Sequence, residues 1–388
     1  MNAKLFKNGL VLLNGRFKRT QILVIDGVIE SVANTMTIPE GTEIIDCSGK
    51  RIIPGLIDIH THGCAGYDFS TATPEEMHKM MKWYAQRGIT SVLPTIGTDT
   101  KKNMLTGLKN LHTLYREQHM QKPVESHMVG IHMEGPFFGN EKNGAQAAEH
   151  LLPVDIQLFR ELFLAGGGFI RIADIDPTLP GAFEFIDRYR KDFVISLAHT
   201  TCDYATAQRA AQAGVTQITH LFNGMNSMHH REPGLIGALY DFGFNAEIIC
   251  DGIHVHPSIL RLMFTAIPEK LIIVSDSMSA AGMPDGTYQL NHQDVTVKDG
   301  CATLADGTLA GSTTNVYESM LRLIHYGIPA SVAITAATES AARAAGVQKK
   351  FGMFKKGRNA DLLMLDLDYQ LEKVWISGEL FHDAAEEA

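Results

Sequence analysis

Residues that can bind a metal ion recur in this sequence directly after short apolar runs. Imidazole nitrogens and carboxylate oxygens together suit Zn²⁺, Fe²⁺ or Mn²⁺, whereas a thiolate site would need clustered cysteines. The candidate ligands are His60, His62, Glu134, His199, His220 and Asp276. This set is larger than one tetrahedral ion with an open position requires, so it allows one ion or two.

The apolar runs before these residues have the texture of β-strands. In IDIHTHG, at residues 57–63, Asp58, His60 and His62 alternate, so a strand would place their side chains on one face. Further runs of this kind are ITSVLPT, HMVGIHMEGPF, FIRIADI, FVISLAHT, VTQITHLFN, FNAEIICDGIH and LIIVSDSM. Longer amphipathic segments separate them. This alternation predicts an α/β fold with a closed (β/α)8 barrel, whose strand ends share one rim where distant side chains can converge.

The segments between the runs carry helix signals. Thr73 can serve as an N-cap, Pro74 suits the first helical position, and Glu76 completes a capping box. Apolar residues follow at helical spacing, and Gly88 supplies a stop signal. We therefore predict helices between parallel strands.

Both ends of the chain differ from the barrel segment. The first fifty residues read as short strands with Asn-Gly and Asp-Gly hairpin turns, and the C-terminal segment returns to strand texture. We predict a small β-sandwich domain from residues 1–53 and 350–388, with the barrel domain at 54–349 inserted between them. Residues 286–311 look like a hairpin excursion near the substrate.

Asp276, in IIVSDSM at the end of the last strand, could be a ligand, a helix cap or a general base. A carboxylate beside activated water can take a proton as the water attacks and return it to a leaving nitrogen. A divalent ion assists by lowering the pKa of water from about 15.7 towards about 7. A carboxylate next to a metal-activated water favours a hydrolytic reaction. His132 shares a strand face with Glu134, and we interpret it as a supporting or packing residue.

Composition excludes several classes of function. The chain has 388 residues, a net charge of −9 and no long basic run, which argues against nucleic-acid binding. Its cysteines are scattered, which fits a reducing compartment, and no apolar stretch is long enough to span a membrane. We expect a cytoplasmic protein.

These motifs resemble the amidohydrolase superfamily and, within it, the family of N-acetylglucosamine-6-phosphate deacetylases. The motifs that carry the resemblance are PGLIDIHTHG, HMEGPF, GAQ, THLFNGM, REPG, DGIH, SDSM and LAGS, in consistent order along nearly the whole chain. The resemblance implies hydrolysis of the acetamide of N-acetylglucosamine 6-phosphate, in amino-sugar catabolism and recycling. It also implies a homodimer.

Site residues carry over by resemblance. Glu134, His199 and His220 would hold a divalent metal, with zinc preferred and iron or manganese as alternatives, and Asp276 would be the catalytic acid and base. Because His60 and His62 are both present, we expect capacity for a second ion. Substrate contacts map to Ala145, Gln146, Asn223, Gly224, Arg231, His254, Leu309, Ala310 and Gly311.

Physical chemistry agrees with part of this assignment. A guanidinium can grip a phosphate with two parallel hydrogen bonds, and Arg231 follows the sixth strand beside the expected metal rim. His254, after the seventh strand, could bind phosphate or a sugar oxygen. Gln146 stands where some family members have His, which leaves its contact with a sugar hydroxyl open.

Two other readings stay open. An N-acetylgalactosamine-6-phosphate deacetylase, or a deacylase of N-acyl amino acids, would use the same scaffold. A catalytically silent barrel that only binds partners is the second alternative, although no ligand position is missing from this sequence. Substrate competition assays separate the different deacylases, and the metal content of the purified protein tests for a silent barrel.

Overall fold

The computed structural model describes residues 2–385, and the chain begins with short strands. These are β1 (Ala3–Lys7), β2 (Leu10–Leu13), β3 (Arg16–Arg19), β4 (Gln21–Ile25), β5 (Val28–Ala33), β6 (Glu43–Asp46) and β7 (Arg51–Pro54). Asn14-Gly15 joins β2 to β3 and Asp26-Gly27 joins β4 to β5, all with positive φ. This geometry is typical of tight hairpin turns and confirms the turns predicted from the sequence.

The middle of the chain alternates strands and helices. The strands are β8 (Leu56–Thr61), β9 (Gly63–Cys64), β10 (Tyr67–Asp68), β11 (Ile89–Ile96), β12 (His127–Met128), β13 (Ile131–Met133), β14 (Ile170–Ile175), β15 (Val194–Leu197), β16 (Gln217–Ile218), β17 (Asn245–Ile249) and β18 (Leu271–Val274). The helices are α1 (Pro74–Gln86), α2 (Lys101–Gln121), α3 (Ile156–Ala165), α4 (Ala182–Tyr189), α5 (Tyr204–Ala213), α6 (Gly234–Phe242), α7 (Pro257–Ala266), α8 (Val316–His325), α9 (Ala330–Ala336) and α10 (Glu339–Ala344). Short 3-10 turns cover Ala148–His150 and Pro268–Lys270.

The parallel strands of this segment form the barrel. β8 pairs with β11, and the path continues through β12 and β13 as one interrupted strand to β14, β15, β16, β17 and β18. The ring closes between β18 and β8, where the backbone N–H of Asp276 donates to the carbonyl of His60 (2.9 Å) and that of His62 to the carbonyl of Ser277 (2.8 Å). Sequential parallel order with intervening helices is the (β/α)8 arrangement, which confirms the predicted fold class.

Asp58 reinforces this closure from inside the barrel. It is fully buried, and it accepts a hydrogen bond from the Ser275 hydroxyl at 2.5 Å. Burial raises the pKa of Asp58 to about 7. It shares a strand face with His60, as predicted, but its contacts hold two strands together.

The two ends of the barrel interior differ in polarity. At the amino ends of the strands, Ile57, Leu93 and Ile172 form an apolar cluster with alanines of α10, among them Ala341. Helix α10 therefore closes this end with apolar side chains, because burial of apolar surface is favourable there. The carboxyl ends of the strands carry the polar residues.

Helix α1 begins as the sequence predicted. Thr73 caps it by accepting from the backbone N–H of Glu76, and the Glu76 carboxylate accepts from the backbone N–H of Thr73 (2.8 Å). Such reciprocal capping satisfies amide groups that the first helical turn leaves unpaired. The capping box is confirmed.

A small sheet and the C-terminal strands complete the fold. β19 (Gly286–Leu290), β20 (Gln293–Lys298) and β21 (Cys301–Thr303) form an antiparallel excursion, and β22 (Leu362–Leu365), β23 (Leu371–Ile376) and β24 (Glu379–Asp383) follow α10. The terminal strands form two sheets, with orders β5-β4-β1-β6 and β24-β23-β22-β7-β2-β3. N- and C-terminal segments thus share a sheet, as the predicted β-sandwich requires.

The terminal sheets have a core of their own. Phe6 and Trp375 meet edge to face in it, with ring centroids 5.0 Å apart. On this ground we propose that the chain divides into two domains, one formed by residues 1–53 together with 350–388 and the other by residues 54–349. Residues 1 and 386–388 lie outside the described residues. No helix within 2–385 combines the length and apolarity needed to cross a bilayer. All five cysteines are free thiols.

Candidate metal centre

The predicted metal ligands lie together on the rim formed by the carboxyl ends of the barrel strands. They come from the ends of β8, β13, β15, β16 and β18, and are His60, His62, Glu134, His199, His220 and Asp276. All are buried. Barrel closure therefore gathers side chains that are far apart in sequence.

The backbone turns sharply at three of these positions. His199, His220 and Asp276 have φ of 45°, 32° and 47°. The left-handed region costs a residue with a side chain about 1–2 kcal/mol. Strain of this kind is concentrated at functional sites, where the surrounding structure maintains it. Here it occurs where the chain leaves the strands and the side chains meet.

Glu134 is the centre of the cluster. Its Oε1 lies 3.0 Å from His199 Nε2 and 3.1 Å from His220 Nε2. Its Oε2 lies 3.2 Å from His62 Nε2. Ligand atoms on one tetrahedral ion with bonds of about 2.0–2.1 Å are about 3.3 Å apart, close to these separations.

Asp276 and His60 complete the other side of the cluster. Asp276 Oδ1 lies 3.4 Å from His62 Nε2 and 3.6 Å from His60 Nε2, and His60 Nε2 is 3.8 Å from Glu134 Oε1. Glu134 thus belongs to two ligand groups, one with His60 and His62 and one with His199 and His220. A carboxylate in that position can bridge two ions about 3.5–4 Å apart.

The hydrogen bonds of the imidazoles show that their Nε2 atoms suit a cation. His199 Nδ1 lies 2.9 Å from the Lys142 carbonyl and His220 Nδ1 3.2 Å from the Asn223 carbonyl. A carbonyl only accepts, so each Nδ1 carries a proton and donates, and Nε2 is left as the ring nitrogen that binds a cation once it gives up any proton of its own. The two Nε2 atoms are 3.1 Å apart. Both also lie within 3.1 Å of Glu134 Oε1, so three ligand atoms surround one point that a cation can occupy.

His60 gives a second indication. Its Nδ1 donates to Glu247 Oε2 at 2.9 Å, while its Nε2 is buried and has no hydrogen-bond partner within residues 2–385. An unpartnered buried nitrogen is costly, whereas a metal ligand is satisfied by its ion. The residues present therefore fit a divalent cation.

The acidic groups of the cluster are held ionised. Burial opposes the charged form of Glu134, but hydrogen bonds with His199, His220 and His62 outweigh it and hold the pKa of the carboxyl well below its usual range. Burial likewise opposes ionisation of Asp276, and the nearby His60 and His62 more than offset it, so the pKa of Asp276 is also lowered. Ionised carboxylates are the form that binds cations.

A buried polar layer supports the cluster from below. Glu247 accepts from His60 Nδ1 and, through its other oxygen, from the Gln217 amide at 2.6 Å. The His132 ring lies tilted against that of His60 with centroids 4.5 Å apart, and its Nε2 lies 3.1 Å from Asp174 Oδ1. Groups that orient ligands in this way also tune their basicity. The supporting role predicted for His132 agrees with these contacts.

A pocket of about 210 Å³ opens above the ligands. It is lined by the ligands His62, Glu134, His199, His220 and Asp276 together with the predicted substrate residues Ala145, Gln146, Asn223, Gly224, His254, Leu309 and Gly311. His254 Nδ1 lies 2.7 Å from Asp251 Oδ2. This contact holds the ring through Nδ1. The other ring nitrogen, Nε2, is therefore the one that can meet a ligand in the pocket.

Two of the predicted substrate residues do not line this pocket, and a third lines it but also contacts a metal ligand. Arg231 lies on an exposed loop, with Nη1 2.7 Å from His230 Nε2. Ala310 is buried in an apolar cluster with Met278. Gln146 lines the pocket, but its amide donates to Glu134 Oε2 at 2.7 Å and its oxygen accepts from the Thr98 backbone N–H at 2.9 Å. Gln146 thus orients a ligand, a contact that the sequence did not indicate.

Sequence reasoning missed other residues near the centre. Glu247 and Asp174 each interrupt an apolar barrel strand with a charge, a signal that could have found them. Asn291, at the turn between β19 and β20, lines the pocket and is 2% exposed. Its Nδ2 is buried against Gly97 without a hydrogen-bond partner in the described chain, and its Oδ1 accepts from the Ser70 hydroxyl at 3.3 Å. Nothing in the local sequence distinguishes it.

Comparisons with known proteins agree with this geometry. The model of the amidohydrolase family matches residues 51–381. The N-acetylglucosamine-6-phosphate deacetylase of Bacillus subtilis (strain 168) is 35% identical over 373 residues, covering 95% of this chain and 91% of that protein. The N-acetylgalactosamine-6-phosphate deacetylase of Escherichia coli O157:H7 is 30% identical over 363 residues, covering 93% and 94%.

A solved structure is similar over the same length. The N-acetyl-D-glucosamine-6-phosphate deacetylase of Mycobacterium smegmatis, a mutant in complex with N-acetyl-D-glucosamine-6-phosphate, superposes with a TM-score of 0.89 at 29% identity, covering 98% of this chain and 100% of that one. A family model that spans most of the sequence, relatives that cover nearly all of it and a metal-binding barrel rim lead to one conclusion. This chain belongs to the amidohydrolase family.

Proposed function

We propose that this protein is a metal-dependent deacetylase that hydrolyses N-acetylglucosamine 6-phosphate to glucosamine 6-phosphate and acetate. The observation that carries the proposal is the convergence of His199 and His220 on Glu134 beneath a pocket of predicted sugar contacts. The name of the Bacillus relative, at 35% identity over 95% of the chain, specifies the substrate.

The ligand groups define where ions would be held. Glu134, His199 and His220 would hold one ion, and Glu134 with His60, His62 and Asp276 a second. The two-group arrangement around Glu134 supports capacity for two ions, with zinc preferred and iron or manganese as alternatives. When bound, such an ion lowers the pKa of water and polarises the carbonyl under attack.

Asp276 moves the proton in the proposed reaction. Its lowered pKa keeps the carboxylate ionised, so it can accept a proton from water as the oxygen adds to the acetamide carbon. It then gives that proton to the sugar nitrogen as the carbon–nitrogen bond breaks. The products are the free amine and acetate.

The pocket supplies contacts for the sugar phosphate. His254, oriented by Asp251, is placed to contact phosphate or a sugar oxygen. Gln146 keeps Glu134 in position. We keep Arg231 as a proposed phosphate contact, which requires that its loop or a second copy of the chain bring the guanidinium to the pocket. The homodimer and a cytoplasmic location are proposals as well, and sedimentation analysis tests the first.

N-acetylgalactosamine 6-phosphate is the second candidate substrate. The E. coli relative of that name is 30% identical over 93% of this chain. The two substrates differ in the orientation of one hydroxyl, so their ratio of kcat/KM decides between them.

One experiment tests the proposal. Acetate release is measured from both acetylhexosamine phosphates, from the unphosphorylated sugars and from an N-acetyl amino acid, with metal quantified in the same sample. We expect the glucosamine derivative to have the highest kcat/KM and metal to be present. A chain that binds no metal and stays inactive after addition of Zn²⁺, Fe²⁺ or Mn²⁺ would support the silent barrel instead.

A further inference from the structure

A second and larger cavity, of about 610 Å³, lies at the other end of the barrel from the metal centre. It is formed where β12 and β14 begin, beside the segments that follow α2 and α10 and the turn between β23 and β24. Its lining shares no residue with that of the active-site pocket. Any ligand here is separate from the proposed substrate.

The lining of this cavity is basic. Lys122, Arg171, Lys349 and Lys350 all contribute to it, and within residues 2–385 no ion pair joins any of them to a carboxylate. The whole chain has a net charge of −9, so this concentration of positive charge runs against its overall balance. A local cluster of this kind attracts anions that the rest of the surface repels.

Two acidic residues, Glu125 and Glu379, also line the cavity, and their hydrogen bonds and ion pairs within residues 2–385 are with residues other than the four basic side chains. Glu125 is 1% exposed, and its Oε1 lies 2.7 Å from both His78 Nδ1 and Gln118 Nε2. Glu379 contacts Lys4 at 3.1 Å. Glu125 Oε2 has no hydrogen-bond partner among the described residues, so the lining carries four cations against two carboxylates, and none of the four forms an ion pair with either of them in this part of the chain.

Arg171 is held in place by close packing. A Cβ at position 130 would lie 2.2 Å from Arg171 Cγ, so only glycine leaves room for the arginine side chain. The guanidinium carbon is 5.3 Å from the centre of the Phe169 ring. Arg171 Nε is buried and has no hydrogen-bond partner among the described residues. A fixed guanidinium with an unpaired buried donor suits an anionic ligand.

Aromatic side chains form the remaining wall. Tyr115 and Phe169 have ring centroids 4.1 Å apart, and His127 and Phe351 have centroids 5.4 Å apart. These four rings line the cavity and are only partly buried. Tyr115 also packs against His119, with centroids 4.2 Å apart, and the Arg171 guanidinium lies over Phe169. Partly exposed aromatic side chains next to a guanidinium suit a planar heterocycle.

We propose that this cavity binds a nucleotide, with the phosphate groups at the basic side chains and the base against the aromatic wall. Its volume lies within the range of about 300–1,000 Å³ that is usual for small-molecule sites. Phosphate alone would use the four cations and leave the rings without a role. The combination of both features specifies the ligand class.

Isothermal titration of the full-length, metal-loaded protein with ADP tests this proposal. Saturating glucosamine 6-phosphate is present throughout to occupy the proposed active site. We expect one ADP per chain, and at least tenfold weaker binding of pyrophosphate, which has no base. Absence of ADP binding at millimolar concentration, or equal affinity for pyrophosphate, would overturn the nucleotide assignment.

Matched variants locate the site. Lys349→Gln/Lys350→Gln removes two exposed charges of the lining and should weaken ADP binding at least tenfold. The control is Lys355→Gln/Lys356→Gln, which replaces two exposed lysines outside the cavity and should leave ADP binding unchanged. If the two double variants bound ADP with equal affinity, the proposed location of the site would be refuted. Arg171→Gln gives an independent check, with unchanged deacetylase kcat as evidence that the variant is folded.

Discussion

Glu247 offers the sharpest test of the metal centre, because it does not line the substrate pocket and contacts the centre through His60. It is fully buried, and both of its oxygens accept hydrogen bonds, from His60 Nδ1 at 2.9 Å and from the Gln217 amide at 2.6 Å. Glu247→Gln keeps the shape but replaces one acceptor by an NH2 group. The new NH2 group then faces either His60 or Gln217.

Each orientation of the new amide has a cost that the structure specifies. If the NH2 group faces Gln217, the Gln217 amide can turn over and accept through its Oε1, which has no other partner among the described residues, and His60 Nδ1 then donates to a neutral carbonyl in place of a carboxylate. If it faces His60, Nδ1 must accept, the ring proton moves to Nε2, and His60 loses the lone pair that would bind the ion. Loss of such a supporting contact usually lowers metal affinity about 10–100-fold.

Metal retention against chelators of graded strength, together with thermal unfolding, measures this effect. We expect weaker retention at the His60 side, with the group of Glu134, His199 and His220 unaffected. Glu75→Gln is the matched control, because the Glu75 side chain is 87% exposed and lies on α1. Wild-type metal affinity and wild-type kcat in Glu247→Gln would refute the reasoning.

Other predictions concern the reaction and the substrate. Asp276→Asn should keep the ion at Glu134, His199 and His220, weaken retention of the second ion, and lower kcat by a factor of about 10²–10⁴, the range for a positioned acid and base; turnover like that of the wild type would remove Asp276 from the mechanism. Arg231→Ala and His254→Ala should each raise KM for the phosphorylated sugar more than for the unphosphorylated one, and equal effects on both would contradict a phosphate contact. Asn291→Ala should raise KM severalfold and also lower thermal stability, because Asn291 has a φ of 47° and its Oδ1 accepts from the Ser70 hydroxyl; an unchanged KM for every substrate would show that this side chain does not shape the sugar site.

Much of the barrel could be predicted because its signals are local. Each strand is a short β-branched run, and a polar residue at its end is visible without knowledge of the fold. His60, Glu134 and His220 were therefore placed on the right strands. Chain order then puts the strand ends on one rim, because consecutive parallel strands with crossover helices point the same way.

The supporting contacts could not be predicted in this way. His60 and Glu247 are 187 residues apart, and only the register of the closed barrel places one oxygen at one ring nitrogen. Gln146 orients Glu134 across a loop, which sequence spacing does not encode. The exposed position of Arg231 likewise depends on how its loop lies over the surface.

The sequence by itself determined the types of ligand, the alternation of strands and helices, and hence the family to which the chain belongs. Those features depend on side-chain chemistry and on periodicity along one stretch of backbone. The tertiary structure alone decided which ring nitrogens face Glu134, that Asp58 holds strands together, and that a basic cavity lies at the opposite end. These depend on distances between remote segments, which barrel closure and side-chain packing fix together.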